Sequence, residues 1–276
     1  MREHVAYDER EILRRWTPFF HAARLGPIAP GPRVGVDRIL HPRSVAVFGA
    51  SDSKDKFGGR IMHFLLRHGF PGEVYPINLR RAEVLGRRAY PDIGAAPAGV
   101  DVAILAVPSE SLVRSVSEAP PPASAGACII STGFAEAGAE GRARQAALVE
   151  IVRQTGIRLV GPNCMGLIVP HHRLASAPPW CSTPTTFRDG PIGLVSQSGA
   201  LMVSIFDRAG TDGIGFRHCV LHGQSGGSRD LRLPRVPRSR TPAPRPSRLY
   251  VEGLLDARAF AAASPPPAAP ASRCWW

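Results

Sequence analysis

Short apolar runs alternate with longer amphipathic stretches between residues 36 and 160 of this chain. Apolar runs that end at glycine, proline or serine are typical of strands buried in a parallel sheet. Stretches whose apolar positions recur every three or four residues predict helices. The predicted strands are residues 44–48, 74–77, 100–107, 128–131 and 157–160, and the predicted helices are 59–68, 110–117 and 142–154.

This alternation, with short turns, predicts an α/β fold of the Rossmann-like, doubly wound type with a parallel sheet. In such sheets ligands bind at the carboxyl ends of the strands. The first of these ends, SVAVFGAS (residues 44–51), runs through a polar turn into a helix. Backbone NH groups and the helix dipole meet there and favour a phosphate. The turn lacks the full G-x-G-x-x-G pattern, so a join that binds nothing stays open.

A second strand and helix start follows a proline-rich stretch. Residues 192–195 are a predicted strand, SQSGAL is the turn, and residues 202–209 are a predicted helix. The turn again directs helix-start NH groups at one point, which suits a phosphate or a carboxylate. The alternative is that Ser198 merely caps the helix.

The pattern divides the chain into segments of different character. We expect an N-terminal extension (1–36) with a helix near 9–24, a first domain (37–170), a linker (171–190), a second, incomplete domain (191–263) and an aberrant tail (264–276). Residues 221–248 are also aberrant and are expected to be disordered, because proline and arginine replace apolar periodicity. We interpret both aberrant segments as out-of-frame readings of a GC-rich gene; a genuine basic linker is the alternative.

The net charge of +12 does not predict a nucleic-acid partner. Eight arginines and one acid, Asp230, place +7 of it between Arg217 and Arg248, without aromatic residues to stack on bases. The five cysteines lack metal-ligand spacing, so we expect reduced thiols and no metal site. No apolar run approaches the roughly 20 residues of a membrane helix, and a cytoplasmic protein without membrane contact is expected.

Nine motifs in register resemble the NDP-forming acyl-CoA synthetases, the acetate–CoA ligase family, and the alpha subunit of succinyl-CoA synthetase. They are PRSVAVFGAS, GFPGEVYPIN, EVLGRRAYPDI, VDVAILAVPSE, GFAEAG, GIRLVGPNCMG, PIGLVSQSGAL, DGIGF and LYVEGL. The resemblance implies a Rossmann-like CoA-binding domain followed by a flavodoxin-like ligase domain. It implies interconversion of acyl-CoA, ADP and phosphate with acid, CoA and ATP. The partner would be an ATP-grasp beta subunit or domain, which would hold ATP or ADP and Mg²⁺.

The resemblance also implies roles for individual residues. Those expected to hold coenzyme A are Gly49, Ala50, Ser51, Lys56, Asn78, Arg80, Val107, Pro108, Ser131, Thr132, Gly133, Glu136, Asn163 and Cys164. Ser196, Ser198 and Gly199 would bind phosphate, and Glu252 would support the catalytic histidine. Cys164 is assigned no covalent role. The alternatives are that Pro108 only ends a strand and that Arg80 only lies in a solvated turn.

Two other functions stay open from the sequence. One is a CoA-binding regulatory module of a protein acetyltransferase, although no acetyltransferase pattern is visible. The other is an NAD-binding Rossmann domain, although the second strand ends in PINLRR, where an NAD site prefers an acidic residue for the ribose.

The family's phosphoryl carrier is a histidine in a loop resembling SHTG, and none of the nine histidines has that context. We therefore expect the 276-residue polypeptide alone to give no ATP from acetyl-CoA, ADP and phosphate in a coupled assay. The remaining binding residues cannot replace this histidine, because the histidine itself forms the covalent bond to the phosphoryl group. Robust turnover by this polypeptide would contradict the missing-histidine argument.

Overall fold

The structure is a computed structural model that describes residues 36–97, 99–112, 126–155, 157–176, 187–221 and 247–250. The predicted helix at 9–24, Glu252, and most of the aberrant segments lie outside the described residues.

A five-stranded, fully parallel sheet forms the first part of the chain, and the predicted doubly wound sheet is confirmed. Its strands are β1 (Ser44–Phe48), β2 (Glu73–Ile77), β5 (Val102–Leu105), β6 (Gly126–Ile129) and β7 (Arg158–Val160), in the order β2-β1-β5-β6-β7. Every residue of β1, β5 and β6 is buried, as central strands covered on both faces require. The short hairpin β3 (Glu83–Val84) and β4 (Arg87–Arg88) follows β2.

Helices cover both faces of this sheet. They are α1 (Val36–Leu40), α2 (Phe57–Arg67) and α3 (Ala139–Thr155), and residues 109–112 are also helical. Ile61, Met62 and Leu65 of α2 are fully buried on one face of the sheet. Leu148 and Val152 of α3 join the core on the other face.

A second, mixed sheet of five strands contains the later part of the chain. The strands are β8 (Gly166–Val169), β9 (Leu174–Ala175), β10 (Asp189–Ser196), β11 (Phe216–Leu221) and β12 (Ser247–Tyr250), in the order β12-β10-β11-β8-β9. Helix α4 (Gly199–Thr211) follows β10. β8 lies within the range predicted for the first domain and β9 within the predicted linker, yet both pair with this second sheet.

The two sheets share one hydrophobic core. Leu167, Leu174 and Val220 of the second sheet belong to the same buried cluster as Val45 of β1 and Ile61 of α2. Helix α2 is therefore packed against apolar side chains from both sheets.

Asp101, which directly precedes β5, links this strand to α1 and to the residue before β1. Its carboxylate is 1% exposed and accepts hydrogen bonds from Arg38 Nε (2.8 Å) and from the Arg43 backbone N (2.8 Å). The Ser44 hydroxyl accepts from the Asp101 backbone N at 3.0 Å. Burial raises the pKa of Asp101, but the hydrogen bonds from Arg43 and Arg38 outweigh it and hold the pKa below its usual value. The carboxylate thus stays ionised where α1, β1 and β5 meet.

Histidines gather at the junction of the two sheets. His41 Nε2 and His171 Nε2 share a hydrogen bond of 2.8 Å, and His172 Nε2 lies 2.7 Å from the Pro42 carbonyl oxygen. His218 on β11 is buried beside them. Burial first, and then the nearby charges of the other histidines and Arg217, lower the pKa of His218 to about 4.

The stability of the protein should therefore fall in acid. Because the unfolded chain takes up this proton near pH 6.5 and the folded chain only near pH 4, the His218 contribution is complete above pH 6.5 and is lost as the pH falls toward 4. We expect a loss of about 3 kcal/mol over this window. Urea unfolding of the wild type and of His218→Gln at pH 7 and pH 4.5 measures it. A pH slope that is the same in both proteins would contradict the assignment.

Candidate functional site

The strand order places the switch point of the first sheet between the carboxyl ends of β1 and β5, and we refer to this place as the crevice. The chain leaves β1 toward β2 on one side and continues from β5 toward β6 on the other, so this is the switch point at which doubly wound sheets bind ligands. Gly49 has a φ of +76°, and a methyl group on it would lie 2.5 Å from the Ala106 carbonyl oxygen. The two loops therefore touch and form the floor of the crevice.

Two glycines let the start of α2 approach the loop after β1. A methyl group on Gly58 would lie 2.0 Å from the Gly49 carbonyl oxygen, and one on Gly59 would lie 1.8 Å from the Ser53 carbonyl oxygen. Lys56 is the N-cap of α2 and makes no side-chain cap, and the first turn holds no acidic residue. Neither a side-chain cap nor an acidic residue of the first turn therefore offsets the positive end of this helix. Gly58 and Gly59 are not among the predicted site residues, although two glycines at the start of an amphipathic helix are a signal of close packing.

Several predicted ligands on the β1 and β2 side hold the loops instead of pointing outward. The Ser51 hydroxyl is buried and accepts from the Ser53 backbone N at 3.2 Å. Asn78 Nδ2 donates to the Ala50 carbonyl oxygen at 2.8 Å, and Asn78 Oδ1 accepts from the Arg80 backbone N at 2.9 Å. Arg80 and Lys56 are exposed at this edge. The cations thus remain accessible, while Asn78 shapes the turn.

The β5 and β6 loops form the other wall. Val107 is half-buried and Pro108 is exposed, and the Ser131 hydroxyl donates to the Val107 carbonyl oxygen. Glu136 accepts from the backbone N atoms of Gly133 (2.7 Å) and Phe134 (3.1 Å), while Thr132 is exposed. The Glu136 carboxylate is therefore occupied by its own loop.

The loop after β7 brings Asn163 and Cys164 to the same sheet edge. The Asn163 backbone N donates to the Ser131 carbonyl oxygen at 3.0 Å. The Cys164 thiol is 4% exposed, and its Sγ lies 3.1 Å from the Ile129 carbonyl oxygen and 3.7 Å from Cys128 Sγ. The hydrogen bond with Cys164, together with burial, raises the pKa of Cys128 well above its usual value. This environment favours the neutral form of the Cys128 thiol, which is a poor nucleophile.

The predicted phosphate residues lie on the second sheet. Ser198 is the N-cap of α4, and its hydroxyl accepts from the Leu201 backbone N at 3.4 Å. The Ser196 hydroxyl is buried and donates to the Ser198 carbonyl oxygen at 2.9 Å. Both hydroxyls therefore serve the turn that precedes Gly199, the first residue of α4, whose first turn holds no acidic residue.

The structure thus brings the predicted CoA residues to one sheet edge and keeps the predicted phosphate residues on another sheet. Among the described residues, no group of three or more His, Cys, Asp or Glu side chains is arranged to hold a metal ion. No helix in the described ranges has the length and apolar character needed to span a membrane.

Comparison with known proteins assigns both parts of the chain. Residues 43–170 match the family described as the CoA binding domain, and residues 189–266 match the succinyl-CoA ligase like flavodoxin domain. The alpha subunit of ADP-forming acetate–CoA ligase II from Pyrococcus furiosus is 33% identical over 227 residues, which cover 82% of this chain and 48% of that protein. ADP-forming acetate–CoA ligase I from Archaeoglobus fulgidus is 36% identical over 185 residues, which cover 67% of this chain and 26% of that protein.

A solved structure gives the same result. The dinucleotide forming acetyl-coenzyme A synthetase 1 of Ca. Korarchaeum cryptofilum, in complex with phosphate and ADP, matches with a TM-score of 0.73 and 28% identity, covering 83% of this chain and 48% of that chain. The fold and the two domain matches define a CoA-binding domain joined to a ligase-like flavodoxin domain. The chain belongs to the NDP-forming acyl-CoA synthetase family and corresponds to its CoA-binding alpha part. It spans about half the length of the alpha subunit and about a quarter of the Archaeoglobus ligase.

The close approach of α2 predicts an unusual effect of a helix substitution. Gly→Ala in a helix normally stabilises by about 1 kcal/mol. We expect Gly58→Ala to destabilise by about 1–3 kcal/mol instead, because the methyl group meets the Gly49 carbonyl oxygen. Urea unfolding measures the change. Gly94→Ala is the control, since the nearest atom there is an Asp92 carboxylate oxygen at 3.2 Å, and we expect it to stay within about 0.5 kcal/mol. Equal effects at both positions would contradict the packing argument.

Proposed function

We propose that the crevice between β1 and β5 binds the phosphates of coenzyme A at the start of α2. The observation that carries this proposal is the helix start itself. Gly58 and Gly59 seat it against the β1 loop, and its first turn holds no acidic residue and its N-cap no side-chain cap. The donor set fits a polyanion, because helix-start NH groups and the exposed cations Lys56 and Arg80 are what phosphates bind in proteins.

The remaining predicted residues extend the proposed site along the sheet edge. Val107 and Pro108 would line one wall of the groove, and the backbone of residues 131–136 would run beside the pantetheine arm. Asn163 would stand near the thiol end. Because Ser131, Asn78 and Glu136 already bind neighbouring backbone groups, their part would be to shape these loops rather than to contact the ligand.

We also propose the reaction class of the relatives: the interconversion of acyl-CoA, ADP and phosphate with acid, CoA and ATP. In this proposal the chain supplies the CoA site and the NH groups at the start of α4, which need no reorganisation to stabilise a phosphoryl group. Glu252 would act near that group. The carrier histidine and an ATP-grasp part with ATP or ADP and Mg²⁺ would come from a partner domain or subunit.

NAD binding is less well supported by the site. The residue that follows β2 is Asn78, whose side chain is engaged with the Ala50 carbonyl oxygen and the Arg80 backbone N, and not the acidic residue that binds ribose hydroxyls in NAD sites. Arg80, the exposed arginine two residues after Asn78, suits a phosphate.

Calorimetric titration tests the proposal. We expect CoA to bind the purified chain and NAD to bind at least tenfold more weakly, and we expect Arg80→Ala to weaken CoA binding by about tenfold. Arg208→Ala removes the same charge from α4 of the second sheet and is the control. Tighter binding of NAD, or no heat with CoA, would overturn the proposed site.

A further inference from the structure

Asp52 lies in the β1 loop, but its side chain bonds to the segment that follows β2. Its Oδ1 accepts a hydrogen bond from the Leu85 backbone N at 2.7 Å, and its Oδ2 forms an ion pair with Arg81. The Asp52 carbonyl oxygen lies 2.9 Å from His63 Nε2 on α2. One residue therefore connects the β1 loop, helix α2 and the hairpin β3–β4.

The turn of the β3–β4 hairpin contains a residue in an unfavourable backbone conformation. Leu85 and Gly86 both have positive φ, +52° and +72°, as a two-residue hairpin turn with a right-handed twist requires. Glycine adopts this conformation freely, but for leucine it is strained. The hydrogen bond to Asp52 holds the strained residue from outside the hairpin.

Arg80 and Arg81 lie between β2 and this hairpin. The Asn78 backbone N donates to the Tyr90 carbonyl oxygen at 2.8 Å, and the Tyr90 backbone N donates to the Pro76 carbonyl oxygen at 2.9 Å, so the segment leaves β2 after Asn78 and returns beside it. Arg80 lies in the bend between the end of β2 and the start of β3. Its position relative to the start of α2 is therefore set by two ties, Asn78 at the base and Asp52 at the tip.

We propose that Asp52 is a positioning residue for coenzyme A: it latches the β3–β4 hairpin to the β1 loop and so fixes Arg80 beside the start of α2. This inference rests on the proposed CoA site. The ion pair with Arg81 also balances the negative charge of Asp52, which otherwise would oppose a phosphate in the same loop.

The proposal predicts the opposite sign from simple electrostatics. Removing a carboxylate near a bound polyanion should tighten binding if charge alone matters. If Asp52 positions the hairpin, truncating its side chain weakens binding although a negative charge is removed. The amide of Asp52→Asn still offers an oxygen to the Leu85 backbone N and should preserve the latch.

Calorimetric titration with CoA tests these variants in the full chain. We expect about tenfold weaker binding for Asp52→Ala and binding within about twofold of the wild type for Asp52→Asn. Asp55→Ala removes the same charge from the same loop, where the carboxylate accepts only from the Ser53 hydroxyl among the contacts described, and we expect equal or slightly tighter binding. Melting curves of all variants identify any that fail to fold. Asp52→Ser, whose hydroxyl is too short to reach Leu85, replaces Asp52→Ala if that protein is unfolded.

The outcomes separate this inference from the proposed function. If the wild type does not bind CoA, the proposed function fails. If the wild type binds and the folded truncation binds equally well or more tightly, Asp52 has no positioning role. Equal weakening by Asp52→Asn and by the truncation would also overturn the latch, because the hydrogen bond to Leu85 would then not be the contact that matters.

Discussion

The rest of the site depends on the contact between the backbone at the start of α2 and the backbone of the β1 loop. At Gly58 and Gly59 there is no room for any side chain, since a methyl group would lie within 2.0 Å of a carbonyl oxygen. A helix seated this closely brings its first NH groups to the floor of the crevice. With a larger residue the helix would have to move away, and the NH groups would lose the position at which they face one ligand.

The second sheet also packs against α2 and helps to hold this helix in place. Leu167 and Leu174, on β8 and β9, share the buried cluster that contains Ile61 and Leu65 of α2. The helix is thus fixed by β1 on one side and by the second sheet on the other. The CoA-binding part and the ligase-like part are therefore joined by packing around one helix, whose start faces the crevice.

Much of this fold could be predicted from the sequence, because the buried strands are short apolar runs bounded by turn residues. β1, β2 and β7 lie within one residue of their predicted bounds. Strand pairings that depend on residues far apart in the chain could not be predicted in this way. β9 has only two residues, and nothing in its local sequence shows that it pairs with β8 in the second sheet.

The site shows the same limit at the level of side chains. The predicted CoA residues lie together at one sheet edge, at the carboxyl ends of the strands, but the polar residues among them were expected to face the ligand. Ser51, Asn78 and Glu136 instead satisfy nearby backbone groups, as short polar side chains in turns commonly do. In the proposed site, recognition would therefore rest on backbone NH groups and on the exposed cations Lys56 and Arg80. A site of this kind would select for negative charge and for the shape of the groove. The hydrogen bonds that hold its loops would then determine its specificity as much as the groups that touch the ligand.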